Sequence, residues 1–218
     1  MDPATSAPSP LRHETPASWV AQVLARPRVF LNDHAHLERK AATNALELIG
    51  RWPFPLDAEG PESQAEADRW SRLLASIARD EVRHLAQVLR LLHARGGHFE
   101  RSHANPYAAA LRGVVRRGEG LRETLDRLLV SALIEARSGE RFRLLATHAA
   151  DTELARFYAS LVASEEGHYR AFLDLARMLP RVGSQTDARW QELLEFEAQT
   201  IRRLEPTCTM HGGCAHAS

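Results

Sequence analysis

Two Glu-x-x-His pairs, Glu81–His84 and Glu165–His168, recur 84 residues apart in long amphipathic stretches of this 218-residue chain. On an α-helix, residues three apart lie on one face, a turn from each other. Each pair therefore aims one carboxylate and one imidazole at the same point.

The apolar periodicity places both pairs on helices and inside the buried stripe. Trp70, Leu74, Ile77, Val88 and Leu92 make the stripe around Glu81 and His84. Leu154, Tyr158, Leu161, Phe172 and Leu175 do the same for Glu165 and His168. Two further helices each carry one in-stripe carboxylate. Glu38 lies among Leu31, Ala35, Ala42, Ala45 and Ile49, and Glu135 among Leu125, Leu128, Ala132, Phe142 and Leu145.

Start and stop signals set the helix bounds. A short helix is predicted over Pro16–Ala25 and a long one from Val29 to Arg51, stopped by the Trp-Pro-Phe-Pro run at 52–55. A second long helix follows Pro61, with Ser63 and Glu66 at capping-box spacing, and runs to Ala94 before Gly96-Gly97. Asn105-Pro106 reads as an N-cap and first residue of a short helix ending near Arg116. The third long helix spans Leu121–Thr147. The fourth is capped by Asp151 or Thr152 and runs to about Met178, and a last helix covers Thr186–Leu204. No segment alternates with period two in a β-branched run, so the fold class is all-α.

Four carboxylates and two imidazoles thus point into one interior, where four unpaired carboxylates are very costly. Divalent metal offsets that charge, and iron accepts mixed oxygen and imidazole donors. One Glu from each of two helices, with a Glu-x-x-His from each of two others, resembles the donor set of ferritin-like di-iron and di-manganese bundles. The expected architecture is a ferritin-like four-helix bundle with additional short helices. The expected metal ligands are Glu38, Glu81, His84, Glu135, Glu165 and His168. Glu47 and Glu140 compete for these places, but Glu140 stands about 140° around the helix from Glu135. Asp80, next to Glu81, is placed to accept the outer N–H of His168 across the bundle; the alternative is a surface aspartate. Ala35, Ala42, Ala132 and Gly139 leave room near the carboxylates. Tyr158 and Tyr169 read as packing residues, with a proton or radical role as the alternative.

Composition adds exclusions. Formal net charge is zero, so bulk charge points to neither nucleic acid nor membrane. Lys40 is the only lysine; Arg112, Arg116, Arg117, Arg122 and Arg127 form either a phosphate-contacting patch or a solvated face. No window approaches a membrane span, and the N-terminus lacks a signal pattern. Cys208 and Cys214 imply no disulfide framework, which fits a reducing cytoplasm. Residues 1–15, rich in Pro, Ser and Thr, are expected to be disordered, 16–205 to form the domain, and 206–218 to be a flexible tail. Cys208, His211, Cys214 and His216 in that tail do not match a standard zinc spacing; a zinc or copper site is the alternative to a mobile terminus.

The segments His34–Ala42, Asp80–His84, Ile134–Phe142 and Phe157–Tyr169 resemble those of the bacterial tRNA 2-methylthio-N6-isopentenyladenosine hydroxylases. The likeness spans about residues 15 to 205. Glu-Ala-Arg-Ser-x-Glu-Arg-Phe, at 135–142, separates that family from ferritins and rubrerythrins. The resemblance implies a cytoplasmic non-haem di-iron monooxygenase. It would use O2 and an external electron donor such as a ferredoxin system to hydroxylate a prenyl group beside the tRNA anticodon. It carries the same six residues over as iron ligands. A ferritin- or rubrerythrin-like ferroxidase, a di-iron oxygenase with another substrate, and a metal-free helical bundle are the rival readings. The Pro-rich linker and the extra helices favour a monomer or small oligomer over a ferritin shell.

Overall fold

A computed structural model describes residues 9–53 and 61–215. Among these residues are seven α-helices: α1 (Ser18–Leu24), α2 (Pro27–Ile49), α3 (Pro61–Ala94), α4 (Pro106–Gly113), α5 (Leu121–His148), α6 (Thr152–Arg177) and α7 (Thr186–Arg203). A 3-10 turn at Gly183–Gln185 precedes α7. The all-α expectation holds, and the long helices start and stop where Pro, Asx and Gly predict. Asn105 Oδ1 accepts the Ala108 N–H at the start of α4, and Asp151 Oδ1 caps α6 through Glu153 and Leu154. Since α3 begins at Pro61, Ser63 lies within it rather than capping it, and its side chain is outside the described residues.

Helices α2, α3, α5 and α6 form the bundle, with α2 packed along α3 and α5 along α6. The core falls into two apolar halves. One contains Leu48, Trp70, Leu74, Ile77, Leu125, Leu128, Phe172 and Leu175. The other contains Phe30, Leu31, Val88, Leu92, Phe142, Leu145, Leu154 and Leu161. The order of these residues along the chain fixes the topology. Helices α3 and α5 pass from the first half to the second, while α2 and α6 pass the other way. The middle connection, 95–120, must therefore return along the bundle, and it carries α4 on the way. Each long helix presents its candidate ligand where one half gives way to the other.

Two expectations about the chain ends change. Within residues 1–15, expected to be disordered, the described part from Ser9 is held against the bundle. Buried Thr15 donates through N–H and Oγ1 to the Glu140 carboxylate, at 2.6 and 2.8 Å, and Arg12 reaches Glu195 and Gln191. In the tail, expected to be flexible over 206–218, Met210 and His211 are buried. Arg141 donates to the Met210 carbonyl, and the Met210 N–H donates to Asp33 Oδ2 at 2.7 Å. Buried charge explains both. Arg137 and Arg141 lie in the interior and draw acceptors from whatever chain can reach them. Met1–Pro8 and His216 lie outside the described residues.

Candidate metal centre

All six predicted ligands converge at the seam between the two apolar halves, and all are buried. One ligand atom each of Glu38, Glu81 and His84 lies within 4.8 Å of the others, as does one each of Glu81, Glu135, Glu165 and His168. Glu81 thus belongs to both groups. His84 Nδ1 is 3.6 Å from Glu38 Oε2, 3.8 Å from Glu81 Oε2 and 3.8 Å from Glu165 Oε1. His168 Nδ1 is 2.7 Å from Glu81 Oε1.

The donor atoms fit a metal by a direct observation. Glu81 Oε1, His84 Nδ1, Glu165 Oε1 and His168 Nδ1 are buried and make no well-aligned hydrogen bond. Buried polar atoms without such bonds are rare in interiors, and apart from the close approach of Glu81 Oε1 to His168 Nδ1 these converge without partners. No Arg or Lys forms an ion pair with Glu81, Glu135 or Glu165 among the described residues. A carboxylate-rich set with two imidazoles is compatible with an iron centre.

Electrostatics say the same. Burial raises the pKa of Glu81, with the Glu38 charge adding to it. Burial and the Glu81 charge push Glu135 up to about 7. Burial, then Glu135 and Glu81, raise Glu165 well above the carboxylate range. Glu38 goes the other way: burial opposes its charge, but His34 beside it, with Glu81 and His84, holds it low. His84 is pushed up to about 10; burial opposes its cation, and Glu38 and Glu81 outweigh burial. Without metal, the site retains protons that a metal would displace.

Several surrounding residues sharpen the sequence reading. Asp80 Oδ2 is 3.7 Å from His168 Nε2, so it faces the predicted ring nitrogen at a distance longer than a hydrogen bond; Ser164 Oγ is nearer, at 3.3 Å. Glu140 turns away from the centre, as its helix angle requires, and pairs with Arg137 at 2.5 Å. Gly139 serves helix contact rather than metal space: a Cβ there would stand 3.3 Å from Glu165 Cβ. The sequence reading assigned no role to His34. It is buried, hydrogen-bonded through Nε2 to Glu38 Oε1, and 3.1 Å through Nδ1 from the Tyr158 hydroxyl. The i, i+4 spacing of His34 and Glu38 was its available signal.

A cavity of about 130 Å3 opens from the cluster. Glu38, Glu81, Glu135 and Glu165 line it inside; Leu37, Ala41, Val130 and Ile134 supply apolar wall; Lys40, Arg112, Arg117 and Arg127 line it too. Of the predicted arginine patch, Arg112, Arg117 and Arg127 therefore reach the cavity. Arg116 is instead committed to buried Asp126 at 2.7 Å, and Arg122 lies 3.5 Å from Glu119. A second cavity between α5 and α6 also meets Glu135 and Glu165 and is lined by Arg143, Tyr169 and Arg170.

The family model described as tRNA-(MS[2]IO[6]A)-hydroxylase (MiaE) matches residues 5–212. A tRNA 2-(methylsulfanyl)-N(6)-isopentenyladenosine(37) hydroxylase from Pseudomonas putida is 37% identical over 205 residues, covering 93% of this chain and 92% of that one. Its Salmonella typhimurium namesake is 30% identical over 91% of this chain and 86% of its own. A solved structure, Protein 43 with aldehyde deformylating oxygenase activity from Synechococcus, superposes with a TM-score of 0.78 at 35% identity, over 93% of this chain and 96% of that one. The family match passes the expected limit near 205 and takes in Met210 and His211.

Proposed function

Because this chain belongs to the tRNA-(MS[2]IO[6]A)-hydroxylase family, we propose that it hydroxylates the isopentenyl side chain of a 2-methylthio-N6-isopentenyladenosine beside the tRNA anticodon. The observation that carries this reading is the cavity itself. Its lining combines buried Glu38, Glu81, Glu135, Glu165 and His34, apolar side chains and four cationic ones, of which Arg127 is paired with Glu123 at 2.8 Å. A short prenyl group suits the apolar part, and the phosphates of an RNA loop suit the cations.

Glu38, Glu81 and His84 would hold one iron, and Glu81, Glu135, Glu165 and His168 the other. Reduced by an external donor such as a ferredoxin system, the iron pair supplies two-electron activation of O2. Every other task falls to the chain. Glu81 ties the two halves of the site together. Leu37, Val130 and Ile134 shield it from water and leave room for hydrocarbon. Arg112 and Arg117, both exposed, meet the RNA backbone, and the modified base must leave its stack to enter. The cytoplasm is the compartment this substrate requires, and no helix is long and apolar enough to cross a membrane among the described residues.

Mass spectrometry of tRNA nucleosides from cells with and without the gene tests the assignment. The hydroxyprenyl adenosine should disappear and its prenyl precursor accumulate when the gene is lost. An unchanged ratio rejects the reading. The Synechococcus structure favours a second one, aldehyde deformylation. An aldehyde, which is uncharged, gains little from Lys40, Arg112 and Arg117 along the cavity, which ranks that activity lower. Turnover of such an aldehyde without turnover of prenylated RNA would reverse the order.

A further inference from the structure

We infer that Lys40 binds a backbone phosphate of the RNA substrate, and that the C-terminal segment around Met210 sets its position. The inference deepens the tRNA reading and rests on it.

Lys40 lines the cavity beside Arg112. Its Nζ lies 2.7 Å from His103 Nδ1. An ammonium can only donate, so Nδ1 accepts and the ring proton sits on Nε2. Nε2 then donates to Asp33 Oδ1 at 2.6 Å, and Asp33 Oδ2 accepts the Met210 N–H at 2.7 Å. Three short hydrogen bonds run from the tail to the one lysine in the chain. The His103 ring also stacks on His36 at 4.6 Å and 9°, and His36 stacks in turn with Phe99 at 4.2 Å.

A lysine ordinarily carries large rotamer freedom and pairs weakly with its partners. Here one hydrogen bond, to a ring that is itself held by Asp33 and His36, restrains it and uses one of its three donors. The cavity supplies the place, and a phosphodiester is the anion that a prenylated nucleotide brings with it. The tail, which no metal-centre residue explains, gains a role as the far end of this brace. His211 adds to it from the same side, with Nε2 3.1 Å from Ser138 Oγ, another residue of the cavity wall.

The test uses the iron-loaded full-length chain and an anticodon stem-loop RNA carrying the prenylated adenosine, with binding followed by fluorescence anisotropy across a salt series. Lys40→Met should weaken binding roughly tenfold and flatten the log Kd against log salt slope by about one. Lys40→Arg, which keeps the charge, should restore most of the slope. A purely structural lysine would lower Tm and leave the slope alone. If wild type binds and Lys40→Met gives the same slope and Kd, the phosphate role is overturned. If wild-type protein binds no such RNA, the tRNA reading itself falls.

Discussion

Glu81 on α3 and His168 on α6 meet across the bundle, with Oε1 2.7 Å from Nδ1. Glu81 is also the residue common to both groups of potential ligands. The consequence is an asymmetry among the six residues that can be measured. Glu81→Ala should abolish uptake at both positions. Glu38→Ala removes one member of the smaller group only and should leave about one iron per chain. Anaerobic ferrous titration reads the two stoichiometries; equal losses from both variants would argue against a shared carboxylate.

Acid should release the metal. Glu135 titrates near 7 in the metal-free protein, raised by burial and then by the Glu81 charge, and Glu165 is raised further. Metal must displace those protons, so affinity falls as pH drops through about 7. The sign for stability of the metal-free protein is opposite. A carboxyl whose folded pKa is raised contributes stability below its unfolded pKa that is lost as pH rises through the folded one. His84, raised to about 10, acts in the same direction. Thermal melts of chelated protein should therefore show a lower Tm at about pH 8 than at about pH 6. A rising Tm would contradict the protonation pattern.

Gly139→Ala tests the helix contact behind Glu165. The added methyl meets Glu165 Cβ at 3.3 Å, so Glu165 must give by a few tenths of an ångström. That strain opposes the roughly 0.5–1 kcal/mol that Ala gains inside a helix, so urea denaturation should show little net change while iron binding weakens because Glu165 shifts. Unchanged binding would show that α6 yields without moving its ligand.

Glu197→Gln should be among the most damaging changes far from the metal. Glu197 and Arg137 are both fully buried and 2.8 Å apart, and Tyr107 donates to the same carboxylate at 3.1 Å. Removing the charge leaves Arg137 with Glu140 as its remaining carboxylate. A loss of about 3 kcal/mol follows, and in a cycle with Arg137→Met the double variant should lose less than the sum of the two single ones. Additive losses in equilibrium unfolding would show that the two charges do not depend on each other.

Much of this molecule was legible in one dimension because helices impose a short period. Glu81 and His84 fall three residues apart on an apolar stripe, and so do Glu165 and His168, so their convergence needed only helical geometry. Pro106 and Asp151 marked helix starts for similarly local reasons, whereas α2 begins at Pro27, two residues before the expected Val29. The sequence by itself determined the four long helices, the six residues that meet between them and the donor set that suits iron. It did not determine what long-range contacts decide. Arg137 and Arg141 face inward, and their need for acceptors draws Thr15 and Met210 onto the bundle from opposite ends of the chain. The contact between Asp33 and Met210 spans 177 residues, and that between His103 and Asp33 spans 70. No periodicity carries such pairs. Only the closed fold, which brings His103 and Asp33 together and Met210 onto Asp33, decided what surrounds Lys40 in the cavity wall.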